Sequence, residues 1–456
     1  MYSALHARPE GAEERTMMFK IQKMAVVGIA AALALTGCAA GTTGSGGDEE
    51  GDTLRLGVVT PVSSFAAWQA RWANESPYMQ AVYDSLLTAS PENEIEANLA
   101  TKWEYNDDNT ELTLTLRDDV TFSDGSALTA EDAAASLLGF RDGGASDSTV
   151  LASVTDATAV DATTLKITLA EPNPALLTYL TQNAGLVAPA ELAGDDAAAT
   201  KPVGSGPYVL DTDATVVGSS YVFTKNEDYW NPDRQHYDEL VLSVYTDPTA
   251  LLNAVQGKQV DVTTALDLTT VPQMEAAGYT SYPVDLNWAG FLLSDREGTV
   301  TPALGDVKVR QAINYALDRD ALSDAIGGGY GTPTAQIFPT FSPSYDESLD
   351  ALYAYDPEKA RDLLAEAGYA DGFEVTMPRG VFPAASFTLL GDQLAQVGIT
   401  VNWDDVQLND YISNLVGGKY PMSFFQLQQD PSDWQLAQFQ IAPTSTWNTF
   451  HVSTPE

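Results

Sequence analysis

Two closely spaced carboxylate pairs, Asp404/Asp405 and Asp430/Asp433, are the residues whose type and spacing admit acid–base chemistry. In such a pair one group protonates a leaving oxygen while the other attacks or activates water, which is what glycoside hydrolysis requires. The remaining residues give catalysis little support. The three histidines, His6, His236 and His451, lie far apart, and Cys38 is the one cysteine. The clustered ligands of a catalytic zinc are therefore missing, and no internal disulfide can form. Gly204-Ser205-Gly206 has the glycines of a phosphate turn, but no Gly-Lys-Ser/Thr and no helical pattern follows. A nucleophile, base and orienting group do not occur in combination, so neither a catalysed reaction nor a cofactor is expected.

Charge narrows the partners. Lys and Arg total 22 against 63 Asp and Glu, a formal charge of -41. Nucleic acid and anionic membrane surfaces need basic patches and are excluded as partners, whereas a cationic or zwitterionic ligand fits. The same acidity also serves simply to solvate the surface. With 456 residues and a 44% hydrophobic share, the chain is long enough for two or three domains around real cores.

The N-terminal region is read from its own pattern. Lys20 and Lys23 precede the apolar run Met24 to Leu35, and Leu35-Thr36-Gly37-Cys38 follows. A basic start, an apolar middle and small residues at the end make a secretory signal peptide, too short to span a bilayer comfortably. Leu-Thr-Gly-Cys resembles the bacterial lipobox, whose cysteine is lipidated and becomes the mature N-terminus. Residues 1–37 thus read as a signal peptide, with residues 1–16 an over-extended start that carries Glu13 and Glu14. Residues 38–51 are Gly, Ser, Thr and acid, a composition that cannot build a core, and read as a lipidated flexible tether.

The folded part alternates strands and helices. Asp52 to Thr60 alternates as a first strand, and Pro77 to Leu87 has helical spacing at Met79, Val82 and Leu86. Leu112, Leu114 and Leu116 alternate with Thr113 and Thr115. The polar turn Asn106 to Thr110 joins them to a strand at Trp103–Tyr105, and Ser123-Asp124-Gly125-Ser126 makes a second turn. Thr129 then caps a helix with Glu131 and Asp132 in its first turn. Leu165, Ile167 and Leu169 alternate again, and Asp247-Pro248 and Asp356-Pro357 open later helices that Gly257 and Gly368 close. Arg310 and Arg319 sit near the ends of a helix among carboxylates, where ion pairs are expected. Such alternation indicates an α/β protein.

Read as strings, these segments carry more. Asn98-Leu99-Ala100, Trp103-Glu104, Leu116-Arg117-Asp118, Val120, Phe122-Ser123-Asp124-Gly125, Leu128-Thr129-Ala130 and Asp132 occur in order. So do Gly204-Ser205-Gly206-Pro207-Tyr208, Asn226 to Trp230, Ala254 to Val262, and Asp306 to Arg319. Together they resemble the signatures of extracytoplasmic solute-binding proteins of the peptide and nickel ABC-importer family, with Asn109 and Ala127 replacing the usual glycine and proline. The resemblance covers residues 52 to 456.

The resemblance implies a two-lobed periplasmic-binding-protein-like α/β fold of type II, with a satellite subdomain and a ligand cleft between the lobes. Residues 52–77 and 201–285 would form the first lobe, 78–200 its satellite, and 286–456 the second lobe. Ser453-Thr454-Pro455-Glu456 matches only the start of a family helix, so the family's last segment is expected beyond this sequence. The implied function is a lipoprotein at the extracytoplasmic face of the cell membrane, anchored by lipid alone at Cys38 and monomeric. It captures an oligopeptide or dipeptide by hinge closure and delivers it to ABC permease subunits. An oligosaccharide or chelated nickel is the alternative cargo. A glycoside hydrolase and a ligand sensor without transport are the alternative classes. The ligand-facing candidates are Trp68, Asn287, Trp288, Phe425, Gln428, Asp430 and Trp434, with Asp430 in the segment where peptide receptors hold the α-ammonium.

Overall fold

The computed structural model describes residues 52–453 apart from 92, 146–147, 266, 286, 381, 429–431, 444 and 446. Cys38, the expected signal peptide and tether, and Asp430 therefore lie outside the described residues. Strand β1 (Thr53–Val58) comes first, with Leu54, Leu56 and Val58 alternating against Thr53, Arg55 and Gly57. The next helix, Ser76–Val82, is shorter than its sequence pattern predicts. Tyr83 turns to extended backbone, Ser85 bridges to Leu186, and β2 (Leu87–Ala89) pairs with β3 (Ile95–Ala97). Tertiary pairing thus takes the apolar residues Leu86 and Leu87 out of the helix.

Strands β4 (Ala100–Tyr105), β5 (Glu111–Leu116), β6 (Val154–Asp161) and β7 (Thr164–Leu169) form an antiparallel sheet in the order β4-β5-β7-β6. Leu112, Leu114, Leu165 and Ile167 are fully buried and share a core with Leu137 and Phe140 of the helix Ala130–Asp142. Asp132 fixes the start of that helix by accepting from the backbone N of Thr129 at 2.8 Å and its hydroxyl at 2.7 Å. Asn109 takes the left-handed conformation (φ 55) that a glycine would otherwise supply, which asparagine tolerates.

The chain then returns to β1. Strands β8 (Tyr208–Val216), β9 (Ser220–Lys225), β10 (Glu239–Val244) and β11 (Val262–Thr263) complete a five-stranded sheet in the order β11-β1-β10-β9-β8. β1 runs parallel to both neighbours, with Leu56 opposite Leu242 and Val262. Asp261 fastens that edge by accepting from the Arg55 guanidinium at 2.7 and 2.9 Å. Two sequence signatures converge on buried Asp84. Its carboxylate accepts from Ser205 Oγ at 3.2 Å, Tyr229 OH at 3.1 Å and Trp230 Nε1 at 2.8 Å. Burial pushes the carboxyl up from its ordinary value, and the three donors oppose that shift. Gly204 is required for close backbone approach, since a Cβ there would lie 2.0 Å from the Val82 carbonyl oxygen.

The second lobe has its own core of Leu304, Ile313, Leu390, Leu394, Ile399 and Phe424 among others. Strand β12 (Asn287–Leu292) pairs antiparallel with β15 (Ser423–Gln428). β13 (Phe373–Arg379) and β14 (Ile399–Asp405) are parallel, joined through the helix Ala384–Gln396. Here one expectation is corrected. Arg310 and Arg319 form no ion pair among the described residues. Arg310 donates to the carbonyls of Leu304 (2.8 Å) and Gly305 (3.1 Å), and Arg319 to those of Tyr353 (2.9 Å) and Asn314 (3.3 Å). A guanidinium fork satisfies backbone acceptors where the chain leaves regular structure, which a count of nearby carboxylates does not reveal.

Candidate functional site

In an α/β sheet the carboxyl ends of parallel strands leave a crevice where ligands bind. Here that crevice is a cleft of about 1200 Å³. One wall is the end of β1 (Leu56 to Val59), β11 and Thr264, and the segment Trp72 to Pro77 with Asn93 and Gln182. The other is the crossover Pro283 to Asp285 with Asn287, then Gln428, Tyr330, Thr332 and Phe341. Asn287 opens β12 and Gln428 closes β15, and the register sets them directly opposite each other.

Carboxylates tie the irregular segments of both walls in place by hydrogen bonding. Glu75, 6% exposed, accepts from Ser63 N and Ser63 Oγ, both at 2.9 Å, and so ties down the turn that carries Trp72 and Asn74. Asp350 accepts from Thr334 Oγ1 (2.7 Å), Ala335 N (2.8 Å), Gln336 Nε2 (3.1 Å) and Tyr345 OH (2.5 Å). Burial alone would raise the Asp350 carboxyl, but these donors outweigh it and hold it down at about 2. Asp433 accepts from Ser342 Oγ at 2.6 Å and Ser344 Oγ at 2.5 Å. Together Asp350 and Asp433 secure the 330–345 segment, which brings Tyr330, Thr332 and Phe341 to the cleft.

The cleft offers amide chemistry. Asn74, Asn93, Gln182, Asn287 and Gln428 line it, and no carboxamide of theirs bonds to another described side chain or backbone group. Asn74 and Asn93 are held at φ 61 and 64, left-handed positions that place short polar side chains at the wall. Val284 and Phe341 remain 78% and 56% exposed, so apolar surface also awaits cover.

Of the residues expected to face ligand, the structure brings Asn287 and Gln428 together at the cleft. Asp430 lies outside the described residues, and the structure places the other four elsewhere. Trp68 is 8% exposed and packs with Ala66, Ala198 and Leu192, over Gly139 of the neighbouring helix and Gly143 just past its end. Trp72, four residues on, takes the wall position instead. Phe425 is buried in a stack between Tyr411 and Trp447, with ring centroids 5.7 and 5.4 Å away. Trp288 donates through Nε1 to Gln440 Oε1 at 2.6 Å and lines a second cavity of about 670 Å³ inside the second lobe. Trp434 is 46% exposed and borders neither cavity. Side chains alternate along β12 and β15, so one strand cannot present Asn287 and Trp288, or Phe425 and Gln428, to the same face.

Three of the four carboxylates of the two pairs are already engaged, and the fourth, Asp430, lies outside the described residues. Asp404 accepts from Tyr420 OH at 2.6 Å and Lys419 at 3.1 Å, Asp405 from Arg379 at 2.6 Å, and Asp433 from the two serines. None of these three lines the cleft. Sequence reasoning missed Tyr330, Thr332, Phe341, Asn93 and Gln182, because each is brought in by a connection with no periodic pattern. The left-handed asparagines were the one available signal.

A two-lobed α/β frame with a polar cleft at its crossover is the architecture of a solute-binding protein. The sequence matches the family described as bacterial extracellular solute-binding proteins, family 5 Middle, over residues 94–446, and the chain belongs to that family. Its members are binding proteins, not enzymes. The chain is 30% identical to heme-binding protein A of Haemophilus influenzae over 290 residues, 60% of this chain and 52% of that protein. It is 28% identical to a dipeptide-binding protein of Pseudomonas aeruginosa over 291 residues, 59% of this chain and 53% of that one. The chain thus spans about half the length of these curated relatives. The periplasmic binding protein DppA of Helicobacter pylori, solved with the peptide STSA, shares the fold. It superposes with a TM-score of 0.71 at 22% identity, covering 88% of this chain and 84% of that one. Among the described residues no helix is long and apolar enough to cross a membrane.

Proposed function

We propose that this protein is the cargo receptor of an ABC importer and that its cargo is a short peptide held in the 1200 Å³ cleft. The observation that carries the reading is the lining of five carboxamides from both walls, none bonded to a described group. A carboxamide offers one acceptor and two donors, the complement of a peptide group's N–H and C=O. Side chains of that kind bind a peptide main chain with little regard for sequence. The names of the Pseudomonas and Helicobacter relatives agree with peptide cargo.

Capture works by closure. A ligand that bonds to Asn74 or Gln182 on one wall and to Asn287 or Gln428 on the other gains its full contacts only when the walls approach. It therefore shifts the open–closed equilibrium by its extra affinity for the closed form. Closure also covers Val284 and Phe341, adding an apolar contribution. The closed receptor then docks on permease subunits, held near them by a lipid on Cys38 and the tether of residues 38–51.

The reading is tested by thermal unfolding of the purified protein with a pool of tripeptides, with cello- and chito-oligosaccharides, and with nickel–histidine. Peptides should raise the midpoint in a concentration-dependent way, because a ligand that binds the native state alone stabilises it by mass action. A rise with an oligosaccharide or the nickel complex and none with peptides refutes the peptide reading.

A further inference from the structure

One short helix ties the second wall of the cleft from behind. Asp433–Leu436 continues into a π-helical turn, Ala437–Ile441, where Ala442 N donates at 2.9 Å to the Ala437 carbonyl five residues back. Such turns recur at functional sites, because the extra residue swings the side chains that follow onto a new face. At the start of the helix, Asp433 takes the Ser342 and Ser344 hydroxyls and with them the segment that carries Phe341. In the π-turn, Gln440 is 9% exposed and uses both ends of its carboxamide. Its Oε1 accepts from Trp288 Nε1 at 2.6 Å, and its Nε2 donates to the Gln428 carbonyl at 2.7 Å.

Those two partners belong to the two strand ends that line the cleft. Trp288 follows Asn287 at the start of β12, Gln428 closes β15, and Asn287 and Gln428 are paired in register. Alternation sends Asn287 and Gln428 to the cleft and Trp288 and Leu427 to the opposite face. Against that face lies the cavity of about 670 Å³, lined by Trp288, Leu427, Gln440 and Trp447. Side chains around a cavity forgo part of their packing contacts, so a hydrogen-bonded tie counts for more in fixing their position. Gln440 supplies that tie, with one bond to each strand.

We propose that Gln440 is a positioning residue for cargo. Its carboxamide, aimed by the π-turn, holds the ends of β12 and β15 so that Asn287 and Gln428 meet the ligand at a fixed spacing. Gln440 does not line the cleft and acts through these two amides. The proposal rests on the peptide reading above for the identity of the cargo, and on the two hydrogen bonds for the role.

The experiment measures retention of a tripeptide pool by the immobilised full chain, read by mass spectrometry at pH 7 and pH 5. Gln440→Leu keeps the side-chain bulk, removes both bonds and should lower retention by roughly three- to tenfold at either pH. Gln440→Glu still accepts from the Trp288 indole, but its carboxylate has no proton for the Gln428 carbonyl and repels it. Its retention relative to the parent should therefore be low at pH 7 and recover toward about pH 5, where burial favours the protonated group. Arg296, Arg310 and Tyr353 line the same cavity and Asp433 begins the same helix; all four are common to both proteins, so their own charges cancel in the ratio. A tie that only stabilised the fold would change the unfolding free energy and leave retention by the fully folded variants unmoved. Equal retention by Gln440→Leu and the parent therefore overturns the proposal, as does a Gln440→Glu to parent ratio that is the same at both pH values. If the parent retains no peptide, the peptide reading fails, and the positioning role is decided without cargo. Asn287→Cys with Gln428→Cys, in a Cys38→Ala background, puts two thiols at directly paired positions within reach of a disulfide. Adding Gln440→Leu should slow closure of that disulfide by about threefold or more, because the paired ends lose their alignment. An unchanged rate overturns the proposal.

Discussion

Replacing Asp350 by asparagine removes the acceptor that organises one wall of the cleft. The native carboxylate takes four hydrogen bonds, from Thr334, Ala335, Gln336 and Tyr345, and they lower its pKa from 3.8 to about 2. That fall corresponds to about 2 kcal/mol of preference for the ionised form in the folded state. Because the group is only half-buried, water screens part of this, and about 1–2 kcal/mol is the expected contribution. The sign follows from the direction. A depressed folded-state pKa stabilises above the unfolded value, so the contribution is complete above about pH 4–5 and disappears as the pH falls toward 2. Asp350→Asn should therefore lower the urea unfolding free energy by about 1–2 kcal/mol at pH 7, and the gap to the parent should narrow steadily below pH 4. Peptide affinity should fall by roughly three- to tenfold, since Tyr330, Thr332 and Phe341 depend on the same anchor. Equal stability of the two proteins at pH 7, or a gap that stays constant down to pH 2, would refute the reasoning.

Three further outcomes are expected. Asp84→Ala strands the donors of Ser205, Tyr229 and Trp230 in a buried site and should cost about 3–5 kcal/mol by chemical denaturation; a loss below 1 kcal/mol would mean water replaces the carboxylate. Gly204→Ala places a methyl 2.0 Å from the Val82 carbonyl oxygen, so the helix end or the turn must move, at a cost of about 2 kcal/mol or more in the same assay. Cys38→Ala should shift the protein from the membrane fraction to the soluble or unprocessed fraction on detergent partitioning, with the unfolding transition unchanged; full membrane retention of the variant would exclude the lipid anchor.

Much of the frame was legible because it rests on local rules. Alternation at Leu112, Leu114 and Leu116 and at Leu165, Ile167 and Leu169 specified strands whose apolar face had to be buried. Asp247 and Asp356 before proline specified helix starts, and both side chains accept from the third residue on, at 2.8 and 2.9 Å. The string of signatures identified the family, and with it the two-lobed fold.

The site was mostly not legible, and the reason is geometric. Asn287 and Gln428 lie 141 positions apart and become neighbours only through the register of β12 and β15. The same register turns Trp288 and Phe425 to the other face, so aromatic type near the expected segment does not bring a side chain to this cleft. Trp68 illustrates the same point, since nothing local distinguishes a tryptophan over Gly139 and Gly143 from one over a ligand. The sequence by itself determined strands, caps, turns and family, because these depend on neighbours within a few residues. Only the tertiary structure decided which amides and which loops share the cleft, because long-range packing and strand register choose among residues that local chemistry leaves equivalent.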